Sequence, residues 1–258
     1  MLLGVAMDRF ANNRVSGVII FSTIAAVSFF VYPAFWGENS TDKKISAEQQ
    51  PKVPVPSQNA AVLPEKLLLD VPFSSQAPYG NWDQPWQDAC EETSVLMAVA
   101  WARGFELTPA FAAEEILKQV QFEERVFGYH RDTNLEDTGR LINGFYRYQN
   151  FEIRYDNVTV ENIKKELTLG NLVIVPLAGE LLENPYFTSP PHYHMAVIRG
   201  YDEATSEFIV NEPGTKFGNA FRYGYNNIME ATHDWTGSPA SVEQGRKGMI
   251  IVHPILKR

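Results

Sequence analysis

Apolar and polar positions divide this chain into three stretches of different texture. Val15 to Trp36 runs without a charged side chain, about the length a helix needs to cross the hydrocarbon core of a bilayer. Arg9 and Arg14 precede it, partly offset by Asp8, and Glu38 and Asp42 follow it before Lys43 and Lys44. The positive-inside rule then keeps the short N-terminus in the cytoplasm and sends the remainder outward. A cleaved signal peptide would have a shorter apolar core and a small-x-small cleavage site, which Tyr32-Pro-Ala-Phe-Trp does not offer. A core helix would need apolar neighbours, and a polar segment comes next. From Gly37 to Leu63 the composition turns to Lys, Glu, Gln, Ser and Pro, with Pro51-Lys-Val-Pro-Val-Pro near its end. Such a segment cannot bury enough apolar surface to fold and reads as a tether. The organisation expected is a cytoplasmic stub and transmembrane anchor over 1–36, a flexible linker over 37–63 and one domain over 64–258.

Within that domain the period changes part-way. Leu67-Leu-Leu-Asp-Val-Pro predicts a short strand leading into a polar, aromatic loop from Phe73 to Gln87. Helix signals follow: a run from Cys90 to about Gly104, then Thr108 with Pro109 opening a helix to about Val120. Asn134 caps a third helix through Leu141 and Phe145, and Thr159 a short fourth ending at Gly170. The second half instead carries short β-branched runs: Leu172–Leu177, Tyr193–Arg199, Glu207–Asn211 and Met249–His253. Helices first and strands after give the α+β class, with a helical half packed on an antiparallel sheet. A parallel dinucleotide-binding sheet would need strand–helix alternation and a glycine-rich phosphate loop, and the chain has neither.

Composition narrows the function. Lys and Arg total 22 against 31 Asp and Glu, a formal charge of −9. That balance argues against a nucleic-acid partner, which needs a basic face. The hydrophobic share of 45% is ordinary for a globular protein.

Cys90 is the single cysteine. In an exported domain it has no intramolecular disulfide partner, so it is either a small core residue or a nucleophile. Asp88 as N-cap and Glu91 as its capping-box partner would set Cys90 in the first helical turn. The unpaired amides and the helix dipole there favour a thiolate. Of the five histidines, His194 alone is embedded in a strand signal, and the chain turns at Asp202-Glu-Ala-Thr-Ser and returns through Glu207. If Gly200 opposes Ser206 or Phe208, His194 and Glu212 share a face; a one-residue slip presents Asn211 instead. Either could orient the imidazole. Thiol, imidazole and orienting oxygen in that order are the parts of a cysteine-peptidase triad. The Cys90 amide is one oxyanion donor, and Gln76, Gln84 and Gln87 are candidates for a second.

Four blocks in order carry a resemblance. Leu69-Asp-Val-Pro-Phe-Ser-Ser-Gln, Asp88-Ala-Cys-Glu-Glu-Thr-Ser, Tyr193-His-Met-Ala-Val-Ile-Arg-Gly-Tyr-Asp and Val210-Asn-Glu-Pro-Gly-Thr resemble peptidase family thirty-nine of the cysteine class. These are papain-superfamily enzymes whose best-known members remove bacteriocin leader peptides. The resemblance spans roughly residues 67–253 and implies a papain-like fold and a peptide or protein substrate, with no cofactor. It implies Cys90 as nucleophile, His194 as base, Glu212 at the place of the usual aspartate, and Gln76 as oxyanion glutamine. In two places the chain departs from the family. The loop from Gln76 to Cys90 is long, so Gln84 competes at papain-like spacing, and Ala89 stands where glycine is usual. With the domain expected outside and no transporter segment attached, cytoplasmic cleavage of a double-glycine leader is not the expected activity.

Other readings are open to the same residues. His192 and His194 alternate on a strand and could share a metal, although no zinc motif accompanies them. The loop Tyr79-Gly-Asn-Trp-Asp-Gln-Pro-Trp could be a carbohydrate or peptide platform, or a cover for the core. The expected function is a membrane-anchored cysteine peptidase acting on the outer side of the membrane. An amidase or peptidoglycan-crosslink hydrolase using the same triad, or a non-catalytic binding module, is the alternative.

Overall fold

The structure is a computed structural model and describes residues 63–255. The expected anchor and nearly all of the expected linker lie outside the described residues. No helix among the described residues is long and apolar enough to cross a membrane.

The chain enters through β1 (Lys66–Leu68) and an extended, polar loop that ends in a single 3₁₀ turn, Trp86–Asp88. Helix α1 (Cys90–Arg103) follows and stops at Gly104, whose left-handed φ of 74° lets its N–H reach the Ala100 and Trp101 carbonyls. All of α1 except Trp101 and Arg103 is buried, which is why its sequence is apolar or small nearly all round. Helix α2 (Pro109–Val126) begins where expected, the Thr108 hydroxyl accepting from the Phe111 amide, and continues past Val120. Asn134 caps α3 (Leu135–Gly144) by accepting from the Asp137 amide. Strand β2 (Phe151–Arg154) precedes α4 (Val160–Thr168), which Thr159 caps. The rest comprises β3 (Leu172–Ala178), β4 (Tyr193–Asp202), β5 (Glu207–Asn211), β6 (Phe221–Gly224), α5 (Tyr225–Ala231) and β7 (Met249–Val252).

The sheet runs β2-β7-β3-β4-β5-β6, with β1 added beside β4, and every pairing is antiparallel. Alternation along the strands divides the core in two. Leu172, Ile174, Met195, Val197 and Ile250 face α1, and Val173, Val175, Ala196, Ile198 and Ile251 face Ile163 and Leu167 of α4 and Ile228 of α5. Both faces are covered, so the central strands read as continuous apolar runs rather than as alternation.

The β4–β5 hairpin changes register part-way along. Asp202 opposes Glu207, Tyr201 opposes Phe208 and Gly200 opposes Ile209. Continued straight, that odd phase would bring Asn211 to the face of His194. A bulge intervenes: Arg199 is an extra residue, and beyond it Ile198 opposes Val210 and Val197 opposes Asn211. The phase becomes even, and His194 shares its face with Val210 and Glu212.

Candidate active site

His194 is the second residue of β4, and Glu212 follows directly on β5. Both are buried, and Glu212 Oε1 accepts from His194 Nε2 at 2.5 Å. The carboxylate is held from two more directions. The Gly214 amide donates to the same oxygen at 2.7 Å, and the Tyr223 hydroxyl donates to Oε2 at 2.9 Å. Asn184 Nδ2 donates in turn to the Tyr223 oxygen at 2.6 Å. The Phe187 ring meets the imidazole edge-on, with centroids 5.5 Å apart. A group fixed by so many contacts orients the imidazole and fixes its tautomer: Nε2 carries the proton toward Glu212, leaving Nδ1 as the basic nitrogen.

Asn211 has a different task. Its Oδ1 accepts from Arg199 Nη1 at 3.1 Å, and its Nδ2 donates to the Val71 and Pro72 carbonyls. It fastens the segment after β1 to the hairpin and does not reach His194.

Cys90 opens α1, but not as the capping pattern suggests. The N-cap is Ala89, without a side-chain cap. Asp88 closes the preceding 3₁₀ turn and accepts from Gln84 Nε2 at 2.6 Å, with Arg131 Nε at 3.1 Å. Glu91 turns inward, so no capping box forms. Its Oε2 accepts from the Cys90 thiol at 2.9 Å and its Oε1 from the Thr133 amide at 2.9 Å. The expected ease of ionisation is reversed here. Burial, then the neighbouring Glu91, push the thiol well above its ordinary range, with Asp132 and Glu92 adding to the effect. Desolvation and nearby carboxyls outweigh a helix dipole that can supply only a partial charge.

Gln76 joins the two halves of this region. Its backbone amide donates to the Pro213 carbonyl at 3.0 Å, and its Nε2 donates to the Trp86 and Gln87 carbonyls at 2.9 and 2.8 Å. Both amide protons are therefore engaged, and Oε1 has no partner. Gln84 is exposed, bonded to Asp88 and outside the cavity, whereas the Gln87 side chain lies at its edge.

A cavity of about 800 Å³ brings these parts together: Cys90, His194, Gln76 and Gln87 line it, together with Asp88 and Asp132. Its outer wall is aromatic, from Trp82, Tyr186, Phe187 and Phe217, with the Tyr186 and Phe217 rings 4.9 Å apart. Trp86 packs against the core instead, so that end of the aromatic loop covers the core while Trp82 lines the cavity. Burial raises the Asp132 carboxyl to about 6, with Asp88 nearby contributing. Among the described residues, the Cys90 thiol and the His194 imidazole share no direct hydrogen bond, and the thiol's bond goes to Glu91.

His192 and His194 do not converge on one point. His192 Nδ1 lies 2.7 Å from Glu180, on the exposed rim. Among the described residues no three His, Cys, Asp or Glu side chains gather as a metal site would require.

Comparison with known proteins gives this geometry a family. The model described as Peptidase_C39 like family matches residues 68–238. The chain belongs to that family. It is accordingly a cysteine peptidase, a hydrolase. Among solved structures, a crystal structure from Bacillus anthracis named as a C39-like peptidase is 14% identical, with a TM-score of 0.49. That match covers 75% of this chain and 100% of the other. Xylellain, a cysteine protease from Xylella fastidiosa, is 11% identical with a TM-score of 0.38, covering 76% of this chain and 88% of its own. No curated protein sequence matches the chain.

Several residues around the peptidase's cavity were not singled out from sequence. Tyr223 and Asn184 support Glu212 from β6 and from the loop after β3, and no local pattern links them to it. Glu91 has the spacing of a capping-box residue, yet it turns inward to Cys90 and Thr133. Its neighbour Glu92 is also buried and lies beside Glu123 of α2, and none of the four carboxyl oxygens has a hydrogen-bond partner among the described residues. Burial accordingly raises both, Glu123 to about 8. An apolar helix interrupted by two adjacent glutamates was the available signal.

Proposed function

We propose that this peptidase hydrolyses peptide bonds through Cys90, His194 and Glu212, and that it does so outside the cytoplasm, held to the membrane by its N-terminal segment. The observation that carries the reading is the buried His194–Glu212 pair at 2.5 Å, on the cavity that Cys90 also lines. In this mechanism His194 takes the thiol proton, and the thiolate attacks the substrate carbonyl. The helix start leaves the Cys90 amide free of an intrahelical acceptor and able to donate to the oxyanion. Gln76 joins as second donor by exchanging one of its carbonyl partners for that oxygen. His194 then protonates the leaving amine and activates the water that hydrolyses the thioester. The aromatic wall favours substrates with apolar side chains beside the scissile bond.

The test is hydrolysis of a peptide library by the purified domain and by Cys90→Ala. Loss of all cleavage in a folded variant supports the reading; unchanged turnover refutes it.

A further inference from the structure

Glu91 is buried, and its two oxygens have different partners. Oε1 accepts from the Thr133 amide and Oε2 from the Cys90 thiol, both at 2.9 Å. Thr133 belongs to the loop between α2 and α3, and its carbonyl accepts from the Tyr193 hydroxyl at 3.1 Å. Tyr193 immediately precedes His194. One chain of hydrogen bonds thus runs from the thiol through Glu91 and Thr133 to the strand that carries the imidazole. Within the described residues the imidazole's Nδ1 has no hydrogen-bond partner. The thiol proton is held on the carboxyl side of the nucleophile, away from the base that would remove it.

On the reading that Cys90 is the nucleophile, we propose that Glu91 is its positioning residue. It parks the thiol as a neutral group on its own carboxyl, and turnover begins when the side chain leaves Glu91 for His194. The Thr133 amide can only donate, so it fixes Oε1 as an acceptor and presents Oε2 to the sulfur. Of the other ionisable groups around the thiol, Glu92 on α1 and Asp132 in the loop before α3 reinforce the neutral form, Asp88 is paired with Arg131 at 3.1 Å, and His192 and His194 line the same cavity. Parking protects a lone thiol from alkylation and oxidation, which act on the thiolate.

Glu91→Gln separates parking from mere support. The glutamine oxygen still accepts from Thr133, and the new NH₂ then donates to the sulfur and favours the thiolate. The pH dependence of iodoacetamide alkylation of Cys90 is measured in the wild-type and variant domains, together with the pH profile of kcat/KM. The expected result is a wild-type alkylation midpoint above the ordinary cysteine value of about 8.5. The variant's midpoint should be lower by about one unit or more, and the acid limb of kcat/KM should move the same way. An unchanged or higher variant midpoint overturns the proposal. If the variant does not fold, a wild-type midpoint at or below the ordinary value overturns it equally. Both alkylation readouts are independent of peptide hydrolysis, so failure of the Cys90→Ala test would be recognised separately.

Discussion

His194 Nε2 and Glu212 Oε1 stand 2.5 Å apart in a buried pocket, although the register beside the turn, continued without the Arg199 bulge, would have put Asn211 at that place. Glu212→Gln keeps the shape and removes the charge that stabilises the imidazolium. We expect it to lower kcat by about 10²- to 10⁴-fold while leaving Cys90 open to alkylation. Asn211→Ala removes a fastening instead, so it should lower the melting temperature and leave the rate of the folded fraction closer to wild type. Rates and melting curves of both purified variants check the ranking. The reverse order would return Asn211 to the third position.

Gly218 lies against the back of Glu212. A methyl group there would sit 1.7 Å from the Glu212 carbonyl oxygen, which is part of the backbone and cannot turn aside. Gly218 also accepts the Glu212 amide at 3.0 Å through its own carbonyl. Gly218→Ala should shift the carboxylate and lower kcat by about 10²-fold or more, as misplacements near 1 Å do. Steady-state kinetics on the folded variant decide it, and full activity would mean that Glu212 tolerates displacement.

Stability should fall as pH rises. The Glu92–Glu123 pair has carboxyls raised above their unfolded values, Glu123 to about 8, and burial raises Asp132 to about 6. The folded state therefore binds protons that the unfolded chain has released. This contribution is complete below about pH 4.5 and is lost as pH rises through 8. The melting temperature should drop between pH 5 and pH 9, by about 2–4 °C for each kcal/mol lost in a domain of this size. Glu123→Gln, which supplies a permanent donor to Glu92, should flatten the decline. Thermal melts across that range measure both, and an equally steep decline in the variant would place the titration elsewhere.

For the anchor, protease added to intact cells should digest the domain, and removal of residues 1–36 should move it from the membrane to the soluble fraction. Protection on intact cells with digestion in inverted vesicles would reverse the orientation.

The helices were legible because their ends are chemical: Thr108, Asn134 and Thr159 each accept an amide at the expected start. The central strands were legible because β-branched runs buried on both sides leave few alternatives. Strands β2 and β6 were missed because at four residues each, edge strands with charged members, they carry little pattern. The Cys90, His194 and Glu212 positions could be proposed from spacing and resemblance. The state of the thiol could not, because it depends on which way Glu91 turns, and cap and buried acceptor have the same sequence. The choice of Glu212 over Asn211 depends on the Arg199 bulge, which no local residue pattern announces. Arg199 is pinned there by donating through Nε to the Leu69 carbonyl and through Nη1 to Asn211 and Asn219.

The segment between β1 and Gln76 also determines how the domain would bear a mechanical load. After three backbone pairs with β4, it is stitched in order to Arg199 at Leu69, to Asn211 at Val71 and Pro72, and to Pro213 at Ser75 and Gln76. Tension arriving along the chain from before residue 63 would peel these stitches one after another. The last two lie beside Glu212, and the helices would not yet be disturbed. A pull on the start of β1 would therefore slacken the grip on the candidate triad before it unfolded the domain.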